Sequence, residues 1–251
     1  MEGSVITNLN HGLATITFFH PQHNSLPGYL LAELVKQIKE AGDSNDVRLI
    51  ILQSVGDRTF CAGASFDELM TINNAEEGKK FFLGFANVIN AIRKCPKLVI
   101  GRIQGKSIGG GVGIAAATDY CMATKFASVK LSELALGIGP FVVGPAIERK
   151  IGLGAFSQLA INATEWQTAE WAKSKGLYHE VFDTLTQLDA YIDHFSKQLL
   201  STSPSAMQAL KKMLWHDTQH WDELLDERAG ISGRLVITEA AQQAIRMARI
   251  A

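Results

Sequence analysis

A chain of 251 residues that is 47% hydrophobic and 20% charged can bury a full globular core and is too apolar for disorder. A formal net charge of −1 argues against general binding to nucleic acid or an anionic membrane, and the longest apolar runs fall far short of a bilayer span. Three scattered cysteines (Cys61, Cys95, Cys121) and an acidic N-terminus with no basic-then-apolar leader predict a reduced, cytoplasmic protein.

Residues 5–19 alternate in polarity and turn at Asn10-His11-Gly12, which predicts a β-hairpin. Ser25 reads as an N-cap and Pro27 as a first-turn residue. Leu30, Leu31, Leu34, Ile38 and Ala41 then follow helical spacing. The run 47–52 reads as a strand buried on both faces. A loop holding 60–65 follows. The segment 76–93 predicts a helix with Phe81, Phe82, Phe85, Val88, Ile89 and Ile92 on one side. The run 98–103 is a second buried strand, followed by a glycine turn at 109–111. Strand, helix, strand, glycine turn, helix is the pattern of parallel right-handed crossovers. Short strands are expected at 120–124, 127–131 and 177–182. Helices are expected at 144–150, 155–162, 168–175, 185–200, 204–216 and 236–248.

Two small-residue turns carry the chemistry. Cys61-Ala62-Gly63-Ala64 and Gly109-Gly110-Gly111 can each aim a backbone N–H at one point, which is the arrangement of an oxyanion hole. Taken alone, the glycines fit close backbone packing as well. Glu133 sits among Leu131, Leu134 and Leu136, where an apolar setting raises a carboxyl toward a pKa useful for proton transfer; an N-terminal acid of a helix after Ser132 fits as well. Other patterns fail. Gly105-Lys106-Ser107 lacks the first glycine of a phosphate loop, because Ile100 stands there. Residues 111–116 fit a dinucleotide fingerprint only formally, since 104–110 separate them from the strand. His216 and His220 have zinc-protease spacing without its glutamate or a third ligand. No nucleophile elbow occurs. Cys61 reads as a small buried residue. No metal or redox cofactor is indicated.

Together these segments resemble the enoyl-CoA hydratase/isomerase (crotonase) family. The resemblance is carried by 60–69, 103–111, Asp119-Tyr120, Ser132-Glu133-Leu134, 137–140 and 148–152, with His20-Pro21 through Asn24-Ser25-Leu26 as the early segment beside CoA. It implies an α/β fold, a crotonase-like spiral core of repeated ββα units in two sheets over residues 1–195. A helical trimerisation region would follow over 196–251, giving a homotrimer or homohexamer. It also implies an acyl-CoA substrate, with coenzyme A part of that substrate rather than a cofactor. By position, the N–H groups of Ala64 and Gly110 would be the oxyanion donors and Glu133 the catalytic acid–base. Asn24, Ser25, Leu26, Ala62, Phe66, Leu69, Gly111, Gly113, Phe141 and Val142 would line the substrate. Lys211 would sit near the adenine-ribose end, a solvated helix lysine being the plain alternative.

The departures narrow the reaction. Hydratases of the family use two glutamates, and the first would fall at Gly113. The dehalogenase branch has its nucleophilic aspartate where Phe141 stands. The stretch 139–144 resembles the 3-enoyl-CoA to 2-enoyl-CoA isomerase, which works with one glutamate. Moving a double bond needs one base that takes a proton from C2 and returns it at C4. The leading expectation is that isomerisation. The alternatives are a hydratase, including one for branched enoyl-CoA, and a non-catalytic acyl-CoA-binding or RNA-binding member.

Overall fold

The computed structural model describes residues 2–250. Strands β1 (Ser4–Asn10) and β2 (Leu13–Phe19) form the expected hairpin. Its two turn residues, His11 and Gly12, both have positive φ, 46° and 86°, as a tight turn matched to strand twist requires. From β2 onward the main sheet is parallel: β3 (Leu49–Ser54), β5 (Leu98–Ile103), β7 (Tyr120–Thr124) and β9 (Glu180–Phe182) follow in the order β1-β2-β3-β5-β7-β9. Leu49–Leu52 of β3 and Leu98–Ile100 of β5 are buried, which is why both strands open on apolar runs; Arg102 interrupts β5 near its end.

A second sheet contains three short parallel strands, β4 (Thr59–Cys61), β6 (Lys106–Ile108) and β8 (Val129–Lys130). Of these, the sequence suggested only the last. Gln104 joins the two sheets. Its side-chain amide donates to Ser54 Oγ of β3 at 2.8 Å and to Thr59 O of β4 at 3.2 Å, and its backbone carbonyl accepts from Thr124 Oγ1 of β7 at 2.7 Å.

Helices α1 (Gly28–Asp43), α2 (Phe66–Leu69), α3 (Ala75–Lys94), α4 (Gly110–Ala117), α5 (Gly144–Ile161) and α6 (Ala169–Ser174) connect the strands. Helix α3 buries its predicted apolar side, including Phe81, Phe85 and Ile89. Ser25 does not cap α1. That helix begins after Pro27, and its first N–H is capped from outside by Glu68 Oε2 at 2.6 Å. The segments 144–150 and 155–162 are two arms of α5, broken at Gly152, whose φ is 73°.

Helices α7 (Leu185–Leu200), α8 (Pro204–Leu214), α9 (Trp221–Val236) and α10 (Glu239–Ile250) complete the fold. The sequence reading leaves 217–235 unassigned and starts its last helix at 236, whereas α9 fills that gap. Helix α9 lies along α3, so closely that a β-carbon on Gly78 would be 2.8 Å from Gly233 Cα. Helix α10 returns to α2, where Arg249 pairs with Asp67 at 2.6 Å. No helix among the described residues is long and apolar enough to cross a membrane.

Lys211 needs correction on both readings. It is neither a solvated lysine nor free for a nucleotide. Its side chain is 3% exposed, and Nζ pairs with the buried Asp119 carboxylate at 2.6 Å and donates to Ile92 O at 2.8 Å. Trp215 Nε1 and Val99 N donate to the same carboxylate at 2.7 Å each. Removing one member of a buried pair strands the other charge. Lys211→Met should therefore cost about 3 kcal/mol or more in urea unfolding. The folded variant should keep wild-type affinity for a CoA thioester; lost affinity with unchanged stability would restore the ligand role.

Candidate active site

The chemistry-bearing loops leave the carboxyl ends of β4, β6 and β8. Three neighbouring parallel strands thereby deliver Ala64, Gly110 and Glu133 to one place, as ligand sites in parallel sheets commonly form. The contacts between the loops are tight. A β-carbon on Gly63 would lie 3.4 Å from Gly110 N, and one on Gly109 would lie 2.8 Å from Glu133 Oε1.

Most backbone donors of these turns are already used. Ala62 N donates to His23 O at 3.2 Å, and Gly109 N donates to Lys130 O at 2.9 Å. The N–H groups of Ala64 and Gly110 have no protein acceptor among the described residues. Gly110 is also the first residue of α4, so the partial positive charge of the helix end adds to its N–H. Two unsatisfied donors on one cavity can both receive an anionic oxygen.

The cavity holds about 280 Å³. Ala62, Ala64, Phe66, Leu69, Phe141 and Val142 line it, and so do Gly110 and Glu133. Phe82 and Phe85 contribute the aromatic wall from α3. Ser232 of α9 and Ala248 of α10 also reach it; no sequence signal marked them, because their helices fold back from far along the chain.

Glu133 is the sole carboxylate among the described lining residues. As a residue it is only partly buried, yet its Oε2 is closed off and has no hydrogen-bond partner. Burial pushes the carboxyl up to about 7, with its own backbone N–H pulling slightly the other way. Cys61 lies just behind the wall, and burial pushes its thiol up to about 12, so it is no nucleophile.

The other expected contacts lie behind the cavity. Asn24 is a structural tie: its amide donates to Val55 O at 2.8 Å and Thr59 O at 2.9 Å. Ser25 Oγ meets His20 Nδ1 at 3.0 Å. Leu26 is fully buried and donates its N–H to Gly63 O at 2.8 Å, bracing the first turn from the rear. Gly111 abuts Cys61, where a β-carbon would lie 2.6 Å from the Cys61 carbonyl.

Gly113 is the most informative of these positions. A β-carbon there would meet Val143 Cγ1 at 2.5 Å and Cβ at 2.6 Å. The space that a glutamate side chain would need is filled by Val143. Gly113→Ala should therefore overpack the core and cost about 1–3 kcal/mol, read by thermal unfolding. Adding Val143→Ala should recover much of that loss; strictly additive losses would mean that the two positions do not compete.

The chain matches the family model described as Enoyl-CoA hydratase/isomerase over residues 8–247. It is 28% identical to the peroxisomal Delta(3,5)-Delta(2,4)-dienoyl-CoA isomerase of Arabidopsis thaliana, over 90% of this chain and 85% of that one. It is also 28% identical to the short-chain-enoyl-CoA hydratase of Clostridium acetobutylicum, over 84% and 80%. The crystal structure of enoyl-CoA hydratase from Bacillus halodurans superposes with a TM-score of 0.88 at 21% identity, covering 97% of this chain and 99% of that one, a likeness of fold.

Proposed function

Because the chain belongs to the enoyl-CoA hydratase/isomerase family, we propose the one-base reaction of that family, conversion of a 3-enoyl-CoA to a 2-enoyl-CoA. The observation that carries it is the single carboxylate: Glu133 lines the cavity, and Val143 fills the place beside Gly113 where a second would stand.

In this reading the thioester oxygen accepts hydrogen bonds from Ala64 N–H and Gly110 N–H. Ionised Glu133 removes a proton from C2. The electron pair delocalises through the neighbouring double bond and onto the thioester oxygen, so the negative charge grows where the two donors point. Glu133, now protonated, returns the proton at C4, and the double bond settles between C2 and C3. Atoms balance with no co-reactant. A carboxyl near pH 7 suits both halves, since it is neither too weak a base nor too weak an acid. Hydration would require an oriented water as well, and among the lining residues no second carboxylate holds one.

The reading extends to assembly as a homotrimer or a pair of trimers through residues 196–251. Leu210 and Met213 of α8 leave apolar surface exposed for such a contact. Sedimentation velocity would read this, and a monomer would remove that part.

The direct test is ultraviolet absorbance of the conjugated thioester. With a 3-enoyl-CoA, absorbance should rise; with a 2-enoyl-CoA it should not fall. A fall in the second cuvette would mean water addition and would replace isomerase by hydratase. Glu133→Gln should lower kcat by about 100-fold to 10,000-fold; full activity would remove Glu133 from the mechanism.

The pH dependence has a definite sign. The base works ionised, so kcat/KM should climb as pH rises through about 7 and then level off. Stability should run the other way. The folded carboxyl holds its proton more tightly than the unfolded one, so ionising it between the ordinary glutamate range and about 7 weakens the fold. Glu133→Gln should therefore raise Tm at pH 8, with a gain that shrinks toward pH 5.

A further inference from the structure

One polar side chain reaches the cavity from the helices that fold back over it. Ser232 of α9 lines the cavity and is 1% exposed. The lining residues of α2, α3 and α10, namely Phe66, Leu69, Phe82, Phe85 and Ala248, are apolar. Hydroxyls near helix ends bond back to a carbonyl of the preceding turn, as Thr118 Oγ1 does to Ala115 O at 2.7 Å and Ser174 Oγ does to Trp171 O at 2.8 Å. Ser232 Oγ makes no such bond, and no other group among the described residues hydrogen-bonds to it. A hydroxyl taken from water and left unpaired costs the folded protein free energy. A ligand oxygen placed beside it recovers that loss, and a ligand without one does not.

Helix α3 gives the distance from this hydroxyl to the oxyanion donors. A β-carbon on Gly110 would run into the Phe85 ring. Gly78, two turns earlier in α3, crosses α9 at Gly233, the residue after Ser232. Two turns of helix span about 10 Å, so Ser232 stands on the order of 10 Å from the Gly110 N–H, with Phe82 on the wall between them. The Ser232 end is closed. Ala229 and Val236, on either side of it in α9, are fully buried, and α10 covers that end through Ala248. A CoA arm has to lead out to solvent, so the closed end takes the acyl chain.

We propose that the acyl chain carries a neutral oxygen, a hydroxyl or a carbonyl, where it passes Ser232, and that Ser232 determines specificity for it. Serine offers one donor, two lone pairs and no charge, so it satisfies either group. The proposal rests on the acyl-CoA reading given above, though not on which reaction follows. The preceding reaction must then leave an oxygen on the acyl chain well away from the thioester.

Saturated thioesters test this without catalysis. Calorimetry would compare 6-hydroxyhexanoyl-, 8-hydroxyoctanoyl-, 10-hydroxydecanoyl- and 7-oxooctanoyl-CoA with hexanoyl-, octanoyl- and decanoyl-CoA. At least one oxygenated ester should bind about 5-fold or more tighter than the plain ester of the same length. Ser232→Ala should erase that ratio while still binding the plain esters, which shows that the variant is folded. Ser232→Thr, which keeps the hydroxyl, should retain much of the ratio. Plain esters that bind as well as oxygenated ones throughout the series would overturn the proposal and leave Ser232 to a bound water. An oxygen preference that survives Ser232→Ala would overturn it too. Binding with no double-bond shift in the absorbance assay would sink the isomerase alone. No binding of any thioester would sink both.

Discussion

The site depends on three short strands held in parallel register. Lys106 N donates to Arg58 O at 3.0 Å, and Ser107 N donates to Ser128 O at 2.9 Å. These bonds fix where each strand stops. Because all three run the same way, the loops after Cys61, Ile108 and Lys130 must open on the same side. Backbone atoms then do what side chains do in many other sites. A main-chain N–H at the start of a helix cannot rotate away, so the donors are set before a ligand arrives. Glu68 and Leu26 brace the first turn from behind, through Gly28 N and Gly63 O, without entering the cavity.

The electrostatics follow from that layout. A cavity walled by Phe82, Phe85, Phe141 and Val142 excludes water from Glu133, and its Oε2 has nothing to bond. The protein holds this carboxyl against its preference for water, at a cost to the folded state. The Asp119–Lys211 pair shows the contrast. There a buried carboxylate receives an ammonium, an indole N–H and a backbone N–H. Burial is common to both carboxylates. What separates them is whether the surroundings satisfy the carboxylate: Asp119 has three donors, and Glu133 Oε2 has none.

Much of the main sheet was legible because β3 opens on the apolar run Leu49–Leu52 and β5 on Leu98–Ile100, and α3 keeps its helical stripe. Glu133 and the two turns were legible from small residues next to strand-like segments. Strands β4 and β6 were not, because three residues are too few to carry a period, and β6 is flanked by Gly105 and Gly109. Helix α9 escaped for a related reason. Gly230 and Gly233 look like helix breakers by propensity, yet Gly233 serves as the crossing point for Gly78 of α3, where any side chain would hold the helices apart. Lys211 was misread because a lysine beside Lys212 on an amphipathic helix gives no sign that Asp119, 92 residues earlier, is waiting beneath it. Ser232 and Ala248 belong to the same class: their position depends on long-range return of the chain.

The crowding between Gly113 and Val143 also bears on descent. A side chain at 113 has no room while valine stands at 143, and a smaller residue at 143 leaves a void while glycine stands at 113. Each single step toward a two-carboxylate site therefore passes through a less stable protein that has gained no new chemistry. Selection acting one substitution at a time meets a loss from either side. A chain with this pairing therefore keeps one carboxylate at the site unless both positions change together.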